Sequence, residues 1–424
     1  MLKKMLLLFR ERGIGYLARI ALLQEKLLLK SVFVYPFRKK TYTQALSEIS
    51  LGDRVFLWAQ DFGWNVPLFQ RPQHIARCLA GKNCTVFYCT NCLKDPEVDS
   101  LLQVYPNLYL INRQNRVMMG MLEAYLQGVT KPKYLHLYST HYKITLDEVQ
   151  AYQRKGYRIF YEYIDDLAPE ISGTREIPVN IKEIFEYVTR DSRIPMAVTA
   201  DLLKTQVEAL RGGENLAFST NGVDLDHFRN IPEKVEFSRE FQAVLQRNRK
   251  IVGYYGALAQ WFDYTLLEHT ARMLPDVSFV LIGKIYDGSF YRSGVQQLPN
   301  VFFVGAVPYA QLPAYAARFD VCMIPFRVNS ITNATSPLKL FEYMAIGKPI
   351  LTTAMHENAK YRSVHIAGNA EDFAAKLKML LTYCPEQNPA YYAVLKQEAQ
   401  ENAWEGKADA ILAMLKKQES VPQE

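Results

Sequence analysis

No stretch of this 424-residue chain approaches the roughly 20 consecutive apolar residues that a bilayer-spanning helix needs. The apolar run Met5–Phe9 is too short for a secretory signal core and is cut by Arg10. Cysteine is scarce. Six in the whole chain make no disulfide framework, which points to an intracellular protein. Cys89-x-x-Cys92, with Cys84 nearby, has metal-ligand spacing but lacks a fourth ligand and a second pair. These cysteines read as buried thiols beside a strand. Short-period repeats and low-complexity segments are absent. Most of the chain also lacks an excess of either charge. The first 50 residues hold ten basic side chains against three acidic ones, and they carry the whole formal net charge of +7. A nucleic-acid-binding surface spread over the whole body is excluded by that distribution.

What is present is globular: 49% hydrophobic residues, 22% charged, and length for two or three domains. Leu2, Leu6, Phe9, Tyr16, Ile20, Leu23 and Leu27 recur at spacings of mostly three or four, with Lys3, Lys4, Glu11, Arg12, Arg19, Glu25, Lys26 and Lys30 on the other side. This pattern predicts a basic amphipathic helix. It either lies in the headgroup region of an anionic membrane, through residues 1–40, or packs on the protein's own body. The first alternative places the protein in the cytoplasm, peripheral at the inner membrane face.

From Val55 onward, short apolar runs alternate with helix-like stretches. Strands are expected at 55–60, 85–89, 134–138, 158–164 and 197–200, then at 251–255, 278–282, 301–304, 321–324 and 349–353. Continuous apolar strands alternating with helices indicate α/β architecture with two doubly wound parallel sheets. The join is expected in the polar stretch 230–250. This divides the chain into segments 1–50, 51–235, 236–390 and 391–424. Ligands of such folds bind at the carboxyl ends of the strands, and two domains face to face place the site in the cleft between them.

The most informative stretch runs from Ser336 to Pro349. Ser336 is a good N-cap, Pro337 suits the first helical position, and Gly347 is a stop signal. The helix start offers unpaired N–H groups and a positive dipole end to a phosphate. Lys339 in the first turn invites an anion, and Glu342 one turn on can accept hydrogen bonds from vicinal hydroxyls. Asp224-Leu225-Asp226 has the spacing of a phosphate-bridged cation site, but it closes a turn begun by Ser219-Thr220-Asn221-Gly222.

FEYMAIGKPIL, preceded by FDVCMIPF and VFFVGAVPYAQLPAYAARFD, resembles the donor half of retaining glycosyltransferases of family four, which have the GT-B fold. IVGYYGAL, SFVLIGK and STNGVDLDHF add to the match. WAQDFGWNVPLFQRPQHIA and YEYIDDL resemble a subgroup linked to bacterial surface polysaccharide or teichuronic-acid-type synthesis. The resemblance implies two Rossmann-like domains facing a cleft: an acceptor-side domain at 51–235, a nucleotide-sugar-binding domain at 236–390, and a last helix crossing back to the first domain. It also implies a nucleotide-sugar co-substrate, a glycan or lipid-linked acceptor, retention of configuration, and no metal or other cofactor.

By position, Glu342 matches the acidic residue that binds the nucleotide ribose. Its partner acid, separated from it by seven intervening residues in the family, falls here on Ala334; Asn333, Thr335 and Ser336 are the candidates to replace it. The loop Gly256–Trp261 lacks the family's diphosphate-binding Arg and Lys, which leaves Lys284, Arg327 and Lys339. On the acceptor side, Gln70, Arg71 and His74 open a helix after the first strand, with Arg71 expected near a phosphate. Gln60, Asp61 and Trp64 offer a stacking wall for a sugar ring. The family places a His near the strand end Tyr134–His141, and His136 and His141 both remain candidates. Asp165 or Asp166 is expected to orient a hydroxyl or cap a helix. The alternative to an enzyme is a non-catalytic GT-B scaffold that binds a glycan, a nucleotide or a partner glycosyltransferase.

Overall fold

The computed structural model describes residues 2–59, 62–66, 69–140, 143–168, 176–232 and 234–420. Its strands are β1 (Arg54–Trp58), β2 (Cys84–Thr90), β3 (Leu101–Tyr105), β4 (Leu108–Asn112), β5 (Lys133–Tyr138), β6 (Arg158–Tyr163), β7 (Met196–Val198) and β8 (Leu216–Phe218). A second series follows as β9 (Ile251–Tyr255), β10 (Ser278–Ile282), β11 (Val301–Gly305), β12 (Val321–Ile324), β13 (Ile350–Thr353) and β14 (Val364–Ala367). The first sheet has the order β3-β4-β2-β1-β5-β6-β7-β8 and the second β11-β10-β9-β12-β13-β14. Pairing in the second sheet is parallel throughout, and in the first β3 runs antiparallel to β4.

Continuous apolar runs become strands buried on both faces, as in Cys84–Thr90 and Ser278–Ile282. The hairpin β3–β4 is not among the expected strands. Its first strand is largely exposed, and the turn rests on Asn107 at φ +62°, an Asn-tolerated left-handed position. β8 and β14, of three and four residues, are also not among the expected strands. The thiols of Cys84 and Cys89 lie buried in β2, as read.

The chain forms two compact units: residues 1–66, 75–161 and 178–186, and residues 67–74, 162–177 and 187–424. Within the second unit a buried polar network joins segments that are far apart in the chain. Arg71 is 3% exposed. Its guanidinium donates to Glu162 (Nε–Oε2, 2.6 Å), to the Thr220 carbonyl at 2.9 Å and to Ser219 Oγ at 3.0 Å. Trp404 lies 5.8 Å from that guanidinium, and His74 stacks on the same indole at 4.8 Å. Four distant segments are thereby fastened in one unit. The terminal helix Trp404–Glu419 packs beside β8, and Val223 bridges to Ala403.

Glu162 is completely buried, so removing its guanidinium leaves a charge in the core. Arg71→Met is expected to lower unfolding stability by roughly 3–5 kcal/mol in chemical denaturation. Arg71→Met combined with Glu162→Leu should recover most of that loss. Equal instability of the single and double variants would contradict the burial argument.

Candidate functional site

The second sheet reverses its strand order between β9 and β12, and the carboxyl ends of these strands bracket the crevice where such folds bind ligands. Gly256, just after β9, has φ +142°, a conformation L side chains rarely adopt. A Cβ there would lie 2.8 Å from Lys339 Cε and 2.9 Å from the Tyr254 hydroxyl. Gly283, at the end of β10, has φ +143°, and its Cβ would overlap the Gly256 carbonyl at 1.9 Å. The two strand ends therefore close without side chains, and the Lys339 stem lies against the bare backbone.

Lys339 belongs to the helix Leu338–Ile346, which starts without a side-chain cap; its N-cap residue is Pro337. Ser336 is not the cap. Its Oγ accepts from the Asn221 backbone N–H at 3.2 Å and its carbonyl accepts from Asn221 Nδ2 at 2.7 Å, which ties the helix start to the Ser219–Gly222 loop. The ammonium of Lys339 sits over two rings, Phe326 at 4.8 Å and Tyr254 at 5.4 Å. No described carboxylate lies within 4 Å of it. Burial pushes its pKa down to about 8, with Glu342 opposing the shift.

Glu342, one turn along, is 3% exposed. Burial pushes its carboxyl up to about 7, against the Tyr255 hydroxyl and Lys339, which favour the anion. Tyr255 lies close beside it without strict hydrogen-bond geometry. The Tyr343 hydroxyl accepts from the Tyr255 backbone N–H at 3.1 Å and so locks the helix to β9. The adjacent tyrosines of IVGYYGAL point to opposite faces of their strand. One seats Lys339 and the other faces Glu342. Their sequence signal was only the alternation itself.

The remaining candidates fall into three groups. Asn333, Thr335 and Ser336 are engaged locally: Asn333 Oδ1 accepts from His356 N–H at 3.0 Å, and Thr335 Oγ1 donates to the Ile331 carbonyl at 2.9 Å. The backbone N–H groups of 333–335 also close the short helix Ser330–Asn333, so they are not offered to a ligand. Lys284 and Arg327 are exposed on loops that follow β10 and β12. An open cavity of about 350 Å³ next to Phe326 is lined by Asp263, Thr353 and Asn369, again at strand ends.

On the acceptor side the structure corrects several expectations. Arg71 is buried and consumed by Glu162 rather than open to a ligand. His74 is 2% exposed, stacked on Trp404, with Nε2 3.4 Å from the Tyr309 hydroxyl. Trp64 is 6% exposed and packs edge-on against Tyr88, so it forms no open stacking wall. His136 is fully buried between Trp58 at 3.8 Å and Phe160 at 4.5 Å, a core aromatic rather than a strand-end base. His141, Gln60 and Asp61 lie outside the described residues. Gln70 is exposed, its backbone N–H donating to Gln73 Oε1. Asp165 is half-buried, its carboxyl pushed up to about 7 by burial and by Asp166. Asp166 accepts from the Tyr163 hydroxyl at 2.9 Å.

Asp224 caps a short helix through His227 N–H at 3.1 Å. Among the described residues one trio is spaced for a metal, Asp201, His356 and Glu357. Lys360 Nζ sits 2.7 Å from both carboxylates and supplies the positive charge there.

Because the folded-state pKa of Glu342 is raised, the native protein binds more protons than the unfolded chain between about pH 4.5 and 7. Its contribution to stability is therefore lost as pH rises through that window. Glu342→Gln is expected to gain roughly 2 kcal/mol over the parent between pH 5 and 8. Thermal melts of both across this range check it; a constant difference would mean the carboxyl's pKa is not raised.

Residues 249–383 match the family model described as "Glycosyl transferases group 1". A Bacillus subtilis (strain 168) protein named as a teichuronic acid biosynthesis glycosyltransferase, TuaH, is 24% identical over 243 residues, 53% of this chain. The chain spans 58% of that relative's length. Sucrose-phosphate synthase from Thermosynechococcus elongatus superposes with TM-score 0.60 at 15% identity, over 86% of this chain and 98% of that one. Anabaena HepE, solved with UDP-glucose, gives 0.60 at 14% identity over 86% and 99%. A glycosyltransferase from Rickettsia africae gives 0.62 at 11% identity over 87% and 99%. The architecture is the expected one: two parallel-sheet α/β domains of the GT-B kind.

Proposed function

We propose that this protein is a nucleotide-sugar-dependent glycosyltransferase that builds a cell-surface polysaccharide. It transfers a sugar, with retention, to a glycan or lipid-linked acceptor. The observation that carries the reading is the pairing of Lys339 with Glu342 at an uncapped helix start, beside the Gly256 strand end. The group 1 match over this segment and the UDP-glucose complex of the HepE structure support a nucleoside-diphosphate donor.

The chemistry follows from the charges. When a nucleoside diphosphate leaves an anomeric carbon, negative charge grows on the phosphates while the sugar becomes oxocarbenium-like. Lys339 and the free N–H groups at 338 and 339 meet that charge already oriented. No ion pair has to break first, since the ammonium rests on rings rather than on a carboxylate. With cationic stabilisation from the protein, the reading calls on no metal. Glu342, when ionised, accepts hydrogen bonds from the vicinal hydroxyls of a ribose. Retention by front-face displacement requires no carboxylate nucleophile.

Ala334 favours the second reading, a non-catalytic scaffold. It is 2% exposed at the end of the short helix, where the family resemblance calls for an acid. The same experiment separates the two. A nucleotide at 100 times its dissociation constant stabilises by about 2.7 kcal/mol, so UDP and UDP-glucose should raise the melting temperature clearly. Lys339→Gln and Glu342→Ala should each reduce that shift, and transfer from a nucleotide-sugar panel to extracted acceptor should fall at least about tenfold. Unchanged shifts in both variants would remove the donor assignment; shifts without turnover on any donor would favour the scaffold.

A further inference from the structure

We infer that the amino-terminal helix docks this protein on an anionic lipid surface, through an apolar face that its own fold leaves uncovered. The helix Leu2–Phe33 is 32 residues long, roughly 48 Å. Its carboxyl end is fastened to the first unit by one carboxylate: Asp99 accepts from Lys30 at 2.8 Å, from the Tyr35 hydroxyl at 3.0 Å and from Arg38 at 3.3 Å. Tyr42, just beyond, accepts from Asn115 Nδ2 at 3.1 Å.

Before that anchor the body covers little of the described side chains. Ile20, Leu23 and Leu27, on the stripe expected to be apolar, are only half-buried, and no described side chain of the helix is fully buried. A second stripe is exposed. Leu22, Leu29 and Phe33, at spacings of seven and four, stand 56%, 51% and 67% exposed, flanked by Leu28 and Val32. Phe37, in the 3₁₀ turn that follows, is 82% exposed. Scattered surface leucines need no explanation, but six large apolar side chains on one segment do.

The charges choose the occupant. Lys26, Arg38, Lys39 and Lys40 are exposed in the same segment, against Glu25. Protein interfaces are depleted of lysine, whereas lysine beside leucine and phenylalanine suits the headgroup boundary of an anionic bilayer. Each basic group there adds to binding, and salt screens it. Among the described residues no helix is long and apolar enough to cross a membrane, so the mode is docking on the surface. This inference does not depend on the donor reading.

The test is flotation of the full chain with phosphatidylcholine vesicles and with vesicles that also contain phosphatidylglycerol. Binding is expected to the anionic vesicles alone and to weaken with salt. Leu29→Ser/Phe33→Ser/Phe37→Ser and Lys26→Gln/Lys39→Gln/Lys40→Gln should each lower partitioning at least about tenfold. Both should keep the parent melting temperature, since the substituted side chains touch little of the fold. The proposal is overturned by no binding to anionic vesicles, by equal binding to neutral ones, or by variants that bind as the parent does. It is also overturned if light scattering shows a dimer that the Leu29/Phe33/Phe37 variant makes monomeric, because a second copy then covers the stripe.

Discussion

A buried arginine facing a buried glutamate ties distant segments of the second unit together. Neither charge survives in an apolar core alone, so every group that approaches them is held in one arrangement. The Arg71 guanidinium reaches Ser219 and Thr220; the next residue, Asn221, grips Ser336; and Ser336 leads into the helix that carries Lys339. A residue that reads as a ligand-binding cation is in fact two hydrogen-bonded links behind the candidate donor site. Its role there is to position, and the Ser-Thr-Asn-Gly turn is the coupling element.

The parallel sheets were legible because buried strands declare themselves as continuous apolar runs, and β9, β10 and β12 fall on the expected residues. The helix that carries Lys339 and Glu342 was legible because its start and stop signals stand in the sequence. The acceptor side was not. Arg71, His74, Trp64 and His136 are polar or amphipathic residues near strand ends, and sequence cannot separate those that face a crevice from those that satisfy one another inside. Each of the four is at most 6% exposed. The aromatic seat of Lys339 was hidden for the opposite reason, since Tyr254 and Phe326 look like ordinary core residues. At the amino terminus the periodicity found the helix but picked out only one of its two apolar stripes.

Burial moves the two titratable groups of the donor helix toward one another, the carboxyl up to about 7 and the ammonium down to about 8. Near neutral pH both are close to the point where the proton is shared between states. On the proposed reading, a diphosphate beside Lys339 would favour its charged form and hydroxyls donating to Glu342 would favour its anion, so the proton taken up by one group opposes the proton released by the other.

Gly256 and Gly283 have a consequence for how such a protein can diversify. The space for a Cβ on one is filled by the carbonyl of the other, and both stand in a backbone region closed to ordinary side chains. No single substitution at either position is neutral, so mutational drift cannot explore that rim. Variation along that rim is left to the more permissive neighbouring loops, such as the exposed Arg327–Ser330 segment after β12. The two glycines thus make a fixed floor under an adaptable wall.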